Sequence, residues 1–252
     1  DGSWKGTSYN PLEWMENNPL DNKKYKALSV LYAEITPIRN LTLRTQFGLD
    51  YSHLTADMKS YPSFVGNNGI GTAGRSSYTT VNLTITNTIN YKFDIQHRHN
   101  FNVMLGQEGV DYRSEGFQVV TRGQNNDSFT LLSSGTRASS WANSYSSHAF
   151  LSFFARGEYN YNERYYADFS LRSDASSRFG KEGRWATFWS LGFMWDIRKE
   201  SFMRGCNWIT NAQVALSTGT SGNSSIPDYD HLALVGSGSN YMGMAGIAPI
   251  TQ

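Results

Sequence analysis

The sequence predicts an all-β protein, a segment of an antiparallel transmembrane β-barrel that contributes about eight strands to a larger barrel. Its composition is unusual, since 17% of the 252 residues are charged and 14% are aromatic. Eight segments alternate between apolar and polar residues with a period of two, which indicates strands with one apolar face. The connections between these segments are alternately short and long, as in barrels with turns at one membrane surface and loops at the other.

The composition also excludes several classes of protein. The formal net charge of +1 gives no general attraction to nucleic acid. Segments of about 18 consecutive apolar residues, which a membrane-spanning helix needs, do not occur. The high aromatic content argues against a disordered chain. Cys206 is the single cysteine, so neither an intrachain disulfide nor a cysteine-based metal site is expected.

The predicted strands are long. They comprise residues 25–36, 41–53, 79–91, 100–112, 148–161, 165–174, 186–198 and 208–218. In the sixth of these, Phe169 and Leu171 alternate with Ser170 and Arg172. A tilted strand that crosses a membrane needs about 9 to 11 residues, whereas soluble strands most often have about 5 or 6. These lengths favour membrane-crossing strands over a soluble β-sandwich, which is the alternative for a half-buried sheet.

The long connections are expected to lie outside the cell. We predict that residues 1–24, 54–78, 113–147 and 219–252 form external loops, while the short turns face the periplasm. Within the first of these, Asn10-Pro11-Leu12-Glu13 predicts the capped start of a short helix. Aromatic residues collect at strand ends, as expected of girdles at the two lipid–water boundaries.

Three motifs have a simpler interpretation than a chemical site. Gly69-Ile70-Gly71-Thr72-Ala73-Gly74 matches a dinucleotide fingerprint, but a strand pattern follows it instead of a helix, so we expect a loop tip. The two imidazoles of His97-Arg98-His99 lie in a predicted turn with no third metal ligand nearby. Asp228-Tyr229-Asp230 lacks further acidic residues for a calcium site. With no acid, base and nucleophile in a recognisable arrangement, we expect no enzyme, no cofactor and no metal site.

The stretch 159–230 is similar to one particular family. It contains the following motifs in order: Tyr161-Asn162-Glu163-Arg164-Tyr165-Tyr166, then Arg172-Ser173-Asp174-Ala175-Ser176-Ser177-Arg178-Phe179-Gly180, Arg184-Trp185, Trp189-Ser190-Leu191-Gly192, Glu200-Ser201-Phe202 and Ser217-Thr218-Gly219-Thr220-Ser221-Gly222-Asn223. This order of motifs resembles the SusC/RagA family of TonB-dependent outer-membrane transporters of Bacteroidota. Residues 9–53 resemble the family more weakly.

The resemblance implies a nutrient transporter in the bacterial outer membrane. Its barrel would have about 22 strands, with an N-terminal plug inside and a SusD-like surface lipoprotein as partner. It would import oligosaccharides or peptides with energy from the TonB complex, which would act through the N-terminal part. We expect residues 1–252 to belong to one barrel domain that lacks the plug and the barrel ends. No nucleic acid partner is expected, and membrane lipid would surround the strands.

The resemblance also directs attention to particular residues. We expect the motif residues to be structural, with Arg172 and Asp174 forming a lumen-side polar network with Arg178 and Arg184, because shielded charges need partners. The remaining members of this structural set are Ser176, Ser177, Phe179, Gly180 and Trp185. Contacts with ligand or lipoprotein are expected instead at aromatic residues of the long loops, namely Phe129, Trp141, Tyr145 and Tyr241.

Two other functions remain open from the sequence alone. The first is a passive porin or structural barrel protein of the outer membrane, without energy coupling. The second is a soluble, secreted β-protein that binds glycans. The first differs from an importer in lacking a plug domain and a lipoprotein partner. The second differs in having its apolar strand positions inside a protein core.

Overall fold

The computed structural model describes residues 10–180, 183–223, 226–229, 232, 235–241 and 244–249, the last two ranges by their backbone alone. One α-helix, α1, spans Pro11–Asn17. The strands are β1 Leu20–Ile38, β2 Leu41–Ser60, β3 Gly71–Ile95, β4 His99–Gln124, β5 Arg137–Tyr161, β6 Tyr165–Ser176, β7 Trp185–Asp196, β8 Gln213–Gly219, β9 Val235–Tyr241 and β10 Met244–Pro249. Short 3₁₀ turns occur at Val65–Asn67, Asp127–Phe129, Leu132–Ser134, Ile197–Lys199 and Ser201–Met203.

Strands β1 to β8 form one sheet in which each strand is hydrogen-bonded to its neighbours in the sequence. Strands β5 to β8 pair antiparallel, and Phe169 on β6 lies opposite Gly157 on β5 and Leu191 on β7. Strands β9 and β10 form a separate hairpin. The predicted eight-stranded antiparallel arrangement is therefore confirmed.

The apolar face of the sheet is exposed. Leu105, Phe169 and Leu191 have 53%, 45% and 50% of their surface accessible. Among the described residues, the buried hydrophobic side chains are Phe64, Ala73, Val120 and Ala175. Exposing so many large apolar side chains to water is unfavourable, because fully burying one of them stabilises a protein by about 1.5–3 kcal/mol. The alternating apolar positions thus face hydrocarbon and do not pack on a second protein layer, which contradicts the soluble alternative.

Aromatic rings form a continuous row beside the inner turns, by which we mean the short turns between strands. The ring centroids of Tyr91 and Phe93 are 5.6 Å apart, those of Phe93 and Phe101 4.8 Å, and those of Phe101 and Tyr159 4.9 Å. These four side chains lie on three successive strands, β3 to β5. A row of neighbouring aromatic side chains at strand ends matches a girdle at a lipid–water boundary.

The inner turns are tight. Asn162 and Glu163 have positive φ angles of 51° and 55°, and the Arg164 amide donates to the Tyr161 carbonyl at 2.9 Å. Two consecutive residues with positive φ give the turn a twist that suits an antiparallel hairpin. The amide of Asn162 also donates to the Arg98 carbonyl at 2.8 Å, so neighbouring inner turns are joined by main-chain hydrogen bonds.

The chain divides into two compact units. One comprises residues 1–29, 49–82 and 112–147, and the other comprises residues 30–48, 83–111 and 148–252. The first unit has its own small buried centre, which includes Phe64 and Gln124. Hydrogen bonds join the connection between β2 and β3 to the connection between β4 and β5. The Asp127 carboxylate accepts from the amide and hydroxyl of Ser63 at 3.1 and 2.5 Å. The second unit contains β6, β7 and β8 and all the inner turns.

Several predicted loops are largely strand. The segment 54–78 contains the end of β2 and the start of β3, which leaves residues 61–70 as the connection. The segment 113–147 contains the end of β4 and the start of β5, which leaves residues 125–136. The predicted boundaries were wrong here because these strand ends lack alternating apolar residues. The external position of these segments stays a prediction.

Both terminal segments also contain regular structure. Helix α1 begins as predicted, with the Asn10 side chain accepting from the Leu12 amide at 3.0 Å and Pro11 in the first turn. Strand β1 begins at Leu20, within the predicted first loop, and the hairpin of β9 and β10 lies within residues 219–252. The glycine-rich motif is only partly the expected loop tip, since Gly69, with a φ of 73°, and Ile70 lie in the connection, whereas β3 begins at Gly71 and includes the rest of the motif.

No helix in the described part of the chain is long and apolar enough to span a membrane.

Candidate functional site

Arg172 is the centre of a polar cluster on the face of the sheet opposite Phe169 and Leu171. Its Nε is 2.7 Å from Oδ1 of Asp174, and its Nη2 is 2.9 Å from Oε1 of Glu108. These residues lie on β6 and β4, so the guanidinium reaches across β5. A guanidinium that serves two carboxylates in this way fixes their relative positions.

Strand β5 contributes to the same cluster through register. Ser152 is paired with Asp174, and Phe154 is paired with Arg172. As a result, Ser152 Oγ accepts from Arg172 Nη2 at 2.9 Å, and the Phe154 ring lies 5.4 Å below the guanidinium carbon. Ser152 is 2% exposed, so its hydroxyl is held within the cluster. The aromatic ring adds a cation–π contact to the ion pairs.

Arg178 belongs to a second cluster. Its Nε donates to Oδ1 of Asp228 at 2.6 Å, and the same carboxylate lies 3.1 Å from Nδ1 of His148. The three side chains are largely shielded, with exposures of 20%, 11% and 12% for Arg178, Asp228 and His148. The cluster connects the segment after β8 to β5 and to the loop after β6.

The expected single network of four residues is therefore wrong in its connections. Arg172 and Asp174 are paired as predicted, but Arg178 binds Asp228. Arg184 contributes its carbonyl, which accepts from the Ser176 amide at 3.3 Å, while its side-chain Nε is buried without a hydrogen-bond partner. The register between distant chain segments decided this outcome, and local spacing does not reveal it.

The serines of the motif attach the loop after β6 to strand β5. The Ser177 hydroxyl accepts from the Ala149 amide at 2.9 Å, and the Ser177 amide donates to the Ala149 carbonyl at 3.0 Å. Ser176 is 4% exposed, and its hydroxyl accepts from the Arg178 amide at 3.3 Å. Phe179 closes a turn by donating its amide to the Ser176 carbonyl at 3.3 Å.

A cavity of about 520 Å³ adjoins the first cluster. Its wall combines polar and aromatic side chains, among them Glu108, Arg172, Arg184, Phe150, Phe179 and Phe188. Trp185, also from the motif, instead stacks on Phe153 with ring centroids 6.1 Å apart and is 52% exposed. Gly180 lies in the loop that follows β6.

Comparison with known proteins decides the family. The family model described as TonB dependent receptor-like, beta-barrel, matches residues 1–243. The chain belongs to this receptor family. The outer-membrane location expected from the strands is thereby confirmed, as is the expectation that the chain is no enzyme, since the family consists of transporters.

Curated relatives have names from the same family. The chain is 28% identical over 232 residues to the TonB-dependent receptor SusC of Bacteroides thetaiotaomicron, covering 89% of this chain and 23% of that protein. It is 25% identical over 266 residues to the TonB-dependent receptor P39 of Formosa agariphila, covering 99% of this chain and 25% of that protein. The chain thus spans about a quarter of the length of these relatives.

The chain is also similar in three dimensions to solved structures. A structure of the RagAB peptide transporter matches with a TM-score of 0.91 and 32% identity, covering 99% of this chain and 28% of that one. The RagAB peptide importer in an open-open state matches with a TM-score of 0.89, the same identity and the same coverage. The resemblance to SusC and RagA is therefore confirmed.

In the receptor barrel, the aromatic residues predicted as contacts differ in their surroundings. Phe129 lies in the connection between β4 and β5 and is 62% exposed. Trp141 and Tyr145 lie on strand β5, not in a loop, and are 72% and 62% exposed. Tyr241 is the last residue of β9, and its side chain is outside the described part. Their role in binding stays a prediction.

An acidic residue at the inner turns of the receptor barrel was missed as a candidate. Glu200 is 9% exposed, and its Oε1 accepts from the Tyr165 hydroxyl at 2.6 Å and from the Trp195 indole at 3.1 Å. The hydrogen bond from Tyr165, followed by that from Trp195, holds the pKa of Glu200 below its ordinary value. The feature of the sequence that could have identified Glu200 is its position in the motif Glu200-Ser201-Phe202.

The two possible metal motifs gain no support. Groups of three or more histidine, cysteine, aspartate or glutamate side chains arranged to hold a metal ion do not occur in the described ranges. Asp228 instead contacts Arg178 and His148, and Asp230 lies outside the described residues. Nδ1 of His97, in an inner turn, is 2.9 Å from the Asp94 carboxylate at the end of β3.

Proposed function

We propose that this chain is the wall segment of a TonB-dependent importer that takes up oligosaccharides or peptides together with a SusD-like surface lipoprotein. The observation that carries the proposal is the likeness to the RagAB peptide transporter over 99% of the chain at 32% identity. The chain covers only 28% of that structure. On this proposal, the full-length protein also has a plug and a TonB contact in its remaining part.

The chemistry of the sheet supports a hydrated passage. The side chains opposite the apolar face carry hydrogen-bonding groups, such as Asn102, whose amide donates to Glu158 at 2.8 Å. Arg156 Nη2 lies 2.7 Å from the same Glu158 side chain. A polar surface of this kind suits a wall that faces water and polar cargo.

We also propose that the motif residues act structurally and not as cargo ligands. Arg172 uses its donors on Glu108, Asp174 and Ser152, which are all parts of the wall. Arg178 likewise binds Asp228, which belongs to the following segment. The clusters maintain the register of long strands and the position of the loops that follow them.

The test is uptake by cells that depend on the full-length protein. Cells with and without the gene are supplied with fluorescently labelled oligosaccharides and peptides, with and without a protonophore that removes the energy for TonB. We expect gene-dependent uptake that the protonophore abolishes, and co-purification of a surface lipoprotein with the barrel. Uptake that continues at the same rate under the protonophore indicates a passive channel and rejects the proposal.

A further inference from the structure

The side chain of Arg184 differs from those of Arg172 and Arg178. The latter two donate to carboxylates of the wall. Nε of Arg184 is buried without a hydrogen-bond partner, and within the described part of the chain its guanidinium forms no ion pair. A buried donor that lacks an acceptor costs free energy, and the cost is larger for a charged group. The guanidinium of Arg184 is therefore available to an acceptor from outside the wall.

The main chain of Arg184 keeps the structural role proposed for the motif. Its carbonyl accepts from the Ser176 amide at 3.3 Å. This hydrogen bond holds the residue that precedes β7 next to the last residue of β6. The guanidinium takes no part in that contact. A ligand role of the side chain is thus compatible with a structural role of the main chain.

Arg184 lies in the wall of the cavity of about 520 Å³. The described residues of this wall all belong to the second compact unit. Arg184 is half-buried, so part of its side chain stays accessible. Pockets for small molecules typically have volumes of about 300–1,000 Å³. The cavity therefore suits a small molecule or one end of a longer one.

The cavity lies on the polar face of the sheet. Leu171 on β6 is paired with Trp189 on β7, and both belong to the apolar face. The next pair in the register, Arg172 with Phe188, lines the cavity. Because side chains alternate between the faces of a strand, this pair points to the opposite side. On the proposed function that side faces the passage, where cargo reaches the cavity.

Aromatic rings form the apolar part of the wall. They belong to Phe150, Phe179 and Phe188. The Phe188 ring packs against the main chain of Gly222, because a Cβ added at that glycine would overlap the ring. The segment after β8 thus closes one side of the cavity. Apolar and aromatic walls with a few polar groups are typical of ligand sites.

The negative side chains of the wall are already bound. Glu108 and Asp174 contact Arg172 at 2.9 and 2.7 Å. The other oxygen of Glu108 accepts from the Thr86 hydroxyl at 3.2 Å. Of the charged side chains described in this wall, Arg184 is the one without a partner. A guanidinium can bind a carboxylate through two parallel hydrogen bonds.

We propose that the cavity binds a carboxylate of the cargo, with Arg184 as the residue that contacts it and the aromatic rings around the group that carries it. This inference rests on the proposed import function and assigns a cargo subsite to it. The carboxylate belongs either to a peptide or to a uronic acid of an oligosaccharide. The two sources share the chemistry that the cavity recognises, and the experiment separates them.

The test is isothermal titration calorimetry on the full-length transporter in detergent. The probes are two matched pairs: alanyl-alanyl-phenylalanine and its C-terminal amide, and trigalacturonic acid and its methyl ester. We expect at least one acid to bind, and its neutral partner to bind at least about tenfold more weakly, as for one lost hydrogen bond between charged groups. The acid that binds identifies the source of the carboxylate. Binding by neither acid, or equal binding of acid and neutral partner, overturns the proposal.

A variant tests the assigned residue. Arg184→Gln removes the charge, and we expect it to abolish the preference for the acid over its neutral partner. Arg98→Gln is the control, since it makes the same change at an exposed arginine of an inner turn. It should keep the preference within about twofold of the wild-type value. A full preference in folded Arg184→Gln protein overturns the proposal.

Stability in the absence of ligand distinguishes a ligand role from a structural one. Arg184→Gln should leave the urea unfolding transition unchanged, because the guanidinium has no partner in the wall to lose. Arg172→Ala, which breaks ion pairs, is the comparison. A loss of stability in Arg184→Gln as large as that in Arg172→Ala rejects the ligand role. Heat-modified migration in gels shows whether the variants fold, and the paired probes on wild-type protein decide the proposal without any variant.

The outcomes separate this inference from the proposed function. If the acids show no preference while gene-dependent, protonophore-sensitive uptake continues, the subsite is wrong and the import function stands. If neither peptides nor oligosaccharides enter in a gene-dependent manner, the proposed function itself fails. The binding measurement on purified protein decides the carboxylate site in either case.

Discussion

The guanidinium of Arg172 on β6 crosses β5 and meets the carboxylate of Glu108 on β4, with 2.9 Å between Nη2 and Oε1. One side chain thus connects three strands. The Thr86 hydroxyl on β3 donates to the other oxygen of Glu108 at 3.2 Å, which adds a fourth strand. These contacts form only when the four strands are in the correct register, so they stabilise that register.

Removing the arginine should measurably weaken the wall. Arg172→Ala leaves Glu108 and Asp174 without their shared cation, and we expect a loss of about 1 kcal/mol in the free energy of unfolding, since the side chain is 42% exposed and solvent screens the pairs. The measurement is urea denaturation of the refolded full-length barrel. In a double-mutant cycle with Glu108→Gln, a coupling energy of zero contradicts the prediction.

The two faces of β4 allow a matched test of the membrane contact. Leu105 is 53% exposed on the apolar face, while Met104 next to it belongs to the opposite face. Leu105→Arg should destabilise the inserted barrel by about 2–4 kcal/mol, because the charge enters hydrocarbon. Met104→Arg makes a similar change toward the lumen and should cost far less. Equal losses of folded protein in outer-membrane fractions count against the assignment of faces.

The hydrogen bonds of Glu200 predict that the stability of the folded protein depends on pH. Its pKa is lowered by the hydrogen bonds from Tyr165 and Trp195, so the folded state favours the ionised form. The resulting stabilisation is complete above the ordinary carboxyl pKa and is lost as the pH falls through the lowered pKa of the folded state. Thermal unfolding should therefore move to lower temperature between about pH 6 and about pH 3.

The matched variant for this prediction is Glu200→Gln. It keeps the shape and one acceptor oxygen but does not ionise, so its unfolding temperature should change less over the same pH range. A wild-type protein and variant with parallel pH profiles would show that Glu200 does not carry the effect.

Asp228 should control the segment after β8. The carboxylate holds residues 226–229 against Arg178 and His148, and Asp228→Asn removes its charge at a site that is 11% exposed. We expect faster amide hydrogen exchange at residues 226–229, observed by mass spectrometry of the full-length protein. Asp94→Asn, at a 43% exposed carboxylate near the end of β3, is the control and should leave that segment unaffected.

The sequence was informative where one face of a strand meets lipid. The sixth predicted strand, residues 165–174, corresponds to Tyr165–Ser176, because Phe169 and Leu171 alternate with polar residues. The outer end of β5 was missed because its residues around Trp141 and Tyr145 show no apolar alternation. Beyond the membrane neither face has to be apolar, while the main-chain ladder continues. Periodicity therefore indicates the membrane-crossing part of a strand and not its full length.

The polar clusters show a second limit of sequence reasoning. The pairing of Arg172 with Asp174 was predicted because two residues on one face of a strand are neighbours. The partners Glu108 and Asp228 are 64 and 50 residues from the arginines they contact. Their selection depends on the register of strands and on loop paths, which local patterns do not contain.

The lengths of β3, β4 and β5 have a consequence for how such a protein is seen from outside. Each has 25 or 26 residues, and a bilayer crossing uses about 9 to 11 of them. The remainder is about 45 Å of strand. With the long connections outside the cell, as we propose, antibodies, bacteriophages and proteases that approach the bacterium meet ordered β-structure on these three strands before they reach lipid, so surface recognition of this molecule should depend on conformation more than on linear sequence.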